Sequence, residues 1–150
     1  MSIITKTDAE IDLMREPCAI VRDTLAFVGE RISAGMSTKE VDELVERFIR
    51  AAGAYPSCLG YGGFPASACV SVNEVVVHGI PDDKTILKDG DIVSVDLCAY
   101  KNGFHGDAAR TFLIGNVSEE KRLLVERTKE CFFKGIENLH AGTPLYDIGY

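Results

Sequence analysis

Residues 91–115, DIVSVDLCAYKNGFHGDAARTFLIG, hold Asn102-Gly103 between two runs of strand-forming residues. Asn-Gly readily closes a two-residue hairpin loop, because both central positions of that turn need positive φ. Such a loop sets Lys101 opposite Phe104, Asp96 opposite Ala109 and Cys98 opposite Asp107. Side chains alternate between the faces of a sheet, so Asp96, Cys98, Asp107 and Ala109 share one face. His105 joins them if no bulge intervenes. The two aspartates become diagonal neighbours on adjacent strands, within reach of each other's side-chain ends. Like charges so placed destabilise a sheet unless something neutralises them, and the flanking residues (VSVDLCAY, AARTFLIG) are apolar. Either the pair shares a proton or it holds a divalent cation. A bulge that turned one aspartate to solvent would remove both roles.

Helices flank this hairpin. Thr7 and Glu10 form a T-x-x-E capping box, the start signal for a helix. Apolar residues follow at Ile11, Met14, Cys18, Val21, Leu25, Val28 and Ile32, which predicts an amphipathic helix ending around residues 34–35. Pro17 lies inside it and predicts a kink, since its ring removes a backbone donor. Ser37 and Glu40 form a second capping box, Val41, Leu44, Val45, Phe48 and Ile49 supply a buried face, and Gly53 closes that helix. Ser118 caps a third helix with Glu119 and Glu120 in its first turn, where the dipole favours acids. Between the second helix and the hairpin, strands are expected around residues 69–72 and 75–77. The second is a run of valines, read as a core strand whose rim carries His78.

The totals narrow the partners. At 150 residues the chain suits one ordinary domain. A formal charge of -7 argues against nucleic acid or anionic membrane as the main partner. The N-terminus does not read as a signal peptide, and no apolar run reaches the ~18 residues of a membrane helix. Five scattered cysteines without a CxxC pair fit reduced thiols, so a cytoplasmic protein is expected. RISAGMSTKEVDE (31–43) is echoed by NLHAGTPLYDIGY (138–150), with Ala34-Gly35 matching Ala141-Gly142. A duplication would explain the echo, as would a common helix–turn–helix linker. As a duplication, its second copy stops just as its second helix begins, and the sequence reads as incomplete.

Taken together, CLGYGGFPASACVSVNEVVVHGIPDD (58–83), LKDGDIVSVDLCAYKNGFHGDAARTFLIG (87–115) and the helix–SAGMST–helix segment resemble the type I methionine aminopeptidases. The resemblance covers nearly the whole chain. It implies the α+β pita-bread fold (creatinase/aminopeptidase-like), here the first pseudo-symmetric half plus the first helix of the second, with residues 1–150 belonging to one catalytic domain. It implies two divalent metal ions (Co, Mn, Fe or Zn), with Asp96 a ligand to one and Asp107 shared by both. His78 matches the histidine that hydrogen-bonds substrate near the scissile amide. Cys58, Tyr61, Phe64 and Cys69 match the pocket for the methionine side chain, and a flexible thioether suits such a sulfur- and aromatic-lined site. Asn73 and Val75 match positions whose backbone carbonyls hold a monovalent cation.

The implied activity is metal-assisted removal of methionine from the N-terminus of nascent proteins and peptides, with a small second residue preferred. Three features depart from the family pattern. The family's remaining metal ligands, a histidine and two glutamates that include the general base, fall beyond residue 150, so the chain alone is expected to be inactive or nearly so and prone to self-association. His140 does not match those ligands. Cys98 stands where a threonine is usual, and Pro17 is unusual in the first helix. The alternatives are a non-catalytic pita-bread module that binds peptides or a partner, and a proline dipeptidase.

Overall fold

The structure is a computed structural model that describes residues 3–149. Helix α1 (Asp8–Gly29) starts at the expected box: Thr7 Oγ1 accepts the Glu10 N–H at 3.3 Å, and the Glu10 carboxylate accepts the Thr7 N–H at 2.7 Å. Helix α2 (Thr38–Ala51) repeats the device with Ser37 and Glu40, at 3.1 and 2.7 Å. Each box satisfies backbone donors that a helix N-terminus otherwise leaves unpaired. Helix α1 runs on through Pro17, which is buried.

Helix α1 stops at Gly29, about a turn short of the expected end. The N–H groups of Arg31 and Ile32 both turn back to the Val28 carbonyl, at 2.9 and 2.8 Å, which tightens and ends the helix. The chain then crosses to Gly35, whose φ of +94° suits glycine and whose N–H donates to Leu87 O at 2.8 Å. Ile32 still packs on the core, but from the linker. Its apolar character extended the helical pattern past the real end.

The sheet is antiparallel and centred on β3 (Ile92–Lys101). One edge of β3 pairs with β4 (Phe104–Leu113); the other pairs with β1 (Tyr55–Pro56) and β2 (Ala68–Val72). The hairpin has the register the Asn-Gly turn dictates: Lys101 with Phe104, Cys98 with Asp107 and Asp96 with Ala109, with no bulge. Along β3, Val93, Val95, Leu97 and Ala99 are fully buried and pack with Val28 of α1 and Val41, Val45 and Ile49 of α2. Each such valine, leucine or isoleucine contributes about 1.5–3 kcal/mol by leaving water. The alternate residues, Asp96 and Cys98, are half-buried on the opposite face. Gly106 lets β4 cross α1 closely, since a Cβ there would sit 2.5 Å from the Pro17 carbonyl carbon and oxygen.

The expected strand at 75–77 does not form. Val75, Val76 and Val77 are 43, 84 and 62% exposed. Asn73 opens the segment at φ +50° and His78 closes it at φ +58°, and the Val75 N–H bonds back to Val72 O at 3.1 Å. The loop rejoins the sheet only at Gly79, whose carbonyl accepts the Val70 N–H at 2.9 Å. A Cβ at Gly79 would meet Val70 O at 2.3 Å, so only glycine fits.

Residues through Asn116 form one compact unit, and those from Val117 onward form a second. The second holds α3 (Glu119–Ile136), capped by Ser118 as expected, and a 3₁₀ turn at Leu145–Gly149. None of the described α3 residues is buried. Gly142 has φ +98°, close to the +94° of its sequence echo Gly35.

Candidate metal centre and adjoining thiol pocket

The β3–β4 register places Asp96 and Asp107 diagonally on one sheet face, as the hairpin rule requires. The register of β2 adds Cys69, paired directly with Asp96. Burial is the first cause that raises the Asp96 carboxyl above its ordinary value, followed by the negative charge of Asp107. His78 opposes that rise electrostatically from an exposed loop, where its backbone is left-handed at φ +58°. A left-handed non-glycine residue is strained unless its surroundings hold it, and such residues cluster at functional sites.

Three thiols adjoin the carboxylates. Cys58 and Cys98 interact through their sulfurs: the bond from Cys98 lowers the Cys58 pKa to about 7, against burial and against the charges of Asp96 and Asp107. The Cys98 thiol moves upward, first through its bond to Cys58, then through burial and the Asp107 carboxylate beside it. Burial lifts Cys69 to about 11, so at neutral pH it is a small apolar thiol. Ser57 reaches over the same face, its Oγ 2.8 Å from His105 Nδ1, and the His105 ring lies against Tyr100 with centroids 4.8 Å apart. His105 therefore joins the aspartate face, as expected without a bulge.

The other candidate residues are less drawn in. Tyr61 sits on a 3₁₀ turn (Tyr61–Gly63) and is 84% exposed, whereas Phe64 is half-buried. Asn73 and Val75 occupy the turn after β2. The Asn73 side chain donates to Asp91 at 2.8 Å and accepts from the Ile92 N–H at 3.2 Å, pinning that turn to the start of β3. His140 lies in the second unit, with Nδ1 3.0 Å from Ala141 O.

Two features had not emerged from sequence. One is the Cys58–Cys98 contact. The other is Asp42, 1% exposed, whose Oδ1 accepts the N–H groups of Ser67 at 2.8 Å and Ala68 at 2.9 Å. That bond pair clamps the entry to β2 and hence fixes Cys69. An acid beside Val41 on an otherwise amphipathic helix was the available signal.

The donor chemistry of the acid pair fits a divalent cation: two carboxylates on one sheet face, one raised in pKa by burial and then by the other's charge, present hard oxygen donors to an ion that would relieve their repulsion. Among the described residues no three His, Cys, Asp or Glu side chains converge as a ligand set. The pair can therefore supply only part of a coordination shell.

Residues 12–150 match Metallopeptidase family M24. A methionine aminopeptidase of Clostridium acetobutylicum is 50% identical over 99% of this chain and 59% of its own length. The crystal structure of methionine aminopeptidase from Rickettsia prowazekii superposes with a TM-score of 0.96 at 37% identity, covering 99% of this chain and 60% of that one. The prolidase from Pyrococcus furiosus superposes with a TM-score of 0.82 at 25% identity, over 97% of this chain and 41% of that one. The chain thus spans about three fifths of the length of these two methionine aminopeptidases. It belongs to metallopeptidase family M24 and has the family's pita-bread α+β fold.

Proposed function

We propose that this chain contributes the carboxylate pair and the methionine pocket of a methionine aminopeptidase, a metallo-exopeptidase that removes N-terminal methionine from nascent polypeptides with a small second residue. The observation that carries this reading is the register of β2, β3 and β4, which puts Asp96, Asp107 and Cys69 on one face of the sheet. Asp96 and Asp107 hold divalent ions (Co, Mn, Fe or Zn), which when bound polarise the scissile carbonyl and lower the pKa of water. His78 donates a hydrogen bond to the substrate beside the scissile amide. Cys69, protonated and buried, forms the pocket wall with Cys58 and Phe64, and Tyr61 covers its mouth. The backbone carbonyls of Asn73 and Val75 hold a monovalent cation.

Two carboxylates leave most of a coordination shell to donors from elsewhere. The chain by itself is inactive or nearly so on this account. Five free thiols support a cytoplasmic setting. Exposed Leu124, Phe132, Phe133, Leu145 and Tyr146 support self-association. A proline dipeptidase shares the fold, but the 50% identity to a methionine aminopeptidase against 25% to a prolidase favours the first reading. The test is methionine release from Met-Ala-Ser by this chain with Mn²⁺ or Co²⁺, beside X-Pro dipeptides. Turnover at an intact enzyme's rate would overturn the incompleteness argument. Preferential cleavage of X-Pro would overturn the substrate assignment.

A further inference from the structure

Gly79, the residue after His78, is held by β2 through both of its backbone polar groups. Its carbonyl accepts the Val70 N–H at 2.9 Å, and its N–H donates to Ser71 Oγ at 3.1 Å. The two backbones lie in close contact: a Cβ at Gly79 would sit 2.3 Å from Val70 O and 2.9 Å from Ser71 Cα. Ser71 is buried, and the hydroxyl paired with it on β3, Ser94 Oγ, is engaged at 2.8 Å by Thr111 Oγ1. Val70 follows Cys69, which pairs with Asp96, so the grip lies at the border of the site. On the other side of His78 the chain gives little support, since Val75, Val76 and Val77 are exposed. His78 nevertheless sits at φ +58°. A left-handed conformation costs free energy in a residue with a Cβ and persists only where the surroundings impose it.

We propose that Ser71 is a positioning residue: its hydroxyl holds Gly79 on β2 and so locks His78 in the left-handed conformation from which it meets the scissile amide. The proposal rests on the reading of His78 as a substrate ligand given above. Ser71 touches no substrate and acts through the backbone. The Gly79 N–H lies in the peptide plane that joins the two residues, so fixing its direction fixes ψ of His78. The Val70 bond holds the far side of Gly79, and the Ser71 bond holds the side that His78 shares. A histidine released from this grip would drift to the commoner extended and helical regions, and substrate would have to order it again on binding. Alanine at position 71 removes the acceptor. Threonine keeps it and suits a strand.

The test is NMR of the whole isotope-labelled chain, as the parent, Ser71→Ala and Ser71→Thr. At φ +58° the N–H and Cα–H bonds of His78 nearly eclipse, which gives a strong NOE between those two protons. In Ser71→Ala that NOE should weaken, and the Gly79 amide should exchange with solvent about fivefold faster, the worth of one hydrogen bond. The Val95 amide in the middle of β3 should keep its protection, and Ser71→Thr should restore both His78 and Gly79. Met-Ala-Ser added with Zn²⁺, a diamagnetic ion, should shift the His78 imidazole signals in the parent and shift them less in Ser71→Ala. Unchanged NOE and exchange in Ser71→Ala would overturn the proposal. So would equal acceleration at Gly79 and Val95, the mark of a merely structural serine, or equal peptide shifts in parent and variant. A loosened loop in Ser71→Ala with no peptide shift at His78 in the parent would uphold the grip and overturn the substrate reading on which it was placed.

Discussion

Replacing Asp42 with alanine should destabilise the chain far more than a surface charge would. The carboxylate is 1% exposed, and the two residues whose N–H groups it holds, Ser67 and Ala68, are both at 0%. Water cannot replace the acceptor there without opening the entry to β2. A hydrogen bond to a charged group is worth about 1.5–3 kcal/mol, and an orphaned buried donor costs about 1–3 kcal/mol. Two donors give a loss of about 3–5 kcal/mol, a large share of the ~5–15 kcal/mol that holds a typical domain. The Lys39 ion pair, 3.3 Å long with its lysine side chain 37% exposed, adds at most about 1 kcal/mol. Asp42→Asn keeps an acceptor oxygen and should lose about half as much, while Lys39→Ala should cost at most about 1 kcal/mol. Urea unfolding followed by far-UV circular dichroism gives these differences directly, provided the slopes agree. A loss below ~1 kcal/mol for Asp42→Ala would refute the clamp, as would an Asn variant no better than Ala.

Three further outcomes follow from the same geometry. Asp107→Asn should stabilise the metal-free chain at neutral pH by about 1 kcal/mol, a Coulomb repulsion of ~3 kcal/mol at ε ≈ 20 discounted for exposure. The sign follows from the raised Asp96 carboxyl: its contribution is full below the ordinary carboxylate range and is lost as pH rises through the raised value. Urea midpoints from pH ~4 to ~7 should show that loss shrinking in the variant. Iodoacetamide should alkylate Cys58 with a half-maximal rate near pH 7, and Cys98→Ala should move that midpoint up toward the ordinary thiol value; an unmoved midpoint would disprove the sulfur–sulfur interaction. Gly106→Ala should cost about 3 kcal/mol, because the added carbon meets backbone atoms of Pro17 at 2.5 Å, and calorimetry should show the melting temperature falling by ~6–12 °C.

The hairpin was readable in full because one dipeptide fixes it: Asn102-Gly103 sets the turn, the turn sets the register, and the register sets which carboxylates share a face. Helix starts were equally legible, since Thr7, Ser37 and Ser118 each supply a local acceptor. The valines at 75–77 misled because β-propensity describes side chains that fit a half-buried sheet, and pairing partners decide whether a sheet is there. Asn73 turns the chain away from β3, and the valines have no ladder. The Cys58–Cys98 contact depends on β1, a strand of 2 residues, too short for any periodicity to reveal. Asp42 was hidden for a related reason: its partners lie at Ser67 and Ala68, and only the folded packing of α2 on β2 brings them together.

The central claim is that Asp96 and Asp107 form a cation site, and isothermal calorimetry of Mn²⁺ binding to this chain, with Asp107→Asn alongside, tests it most directly. The account predicts saturable binding by the parent chain, with a matching rise in its urea unfolding free energy of about 2.7 kcal/mol at a hundredfold excess over Kd, and loss of both in the variant. Equal binding by the two proteins, or no binding by either, would contradict it.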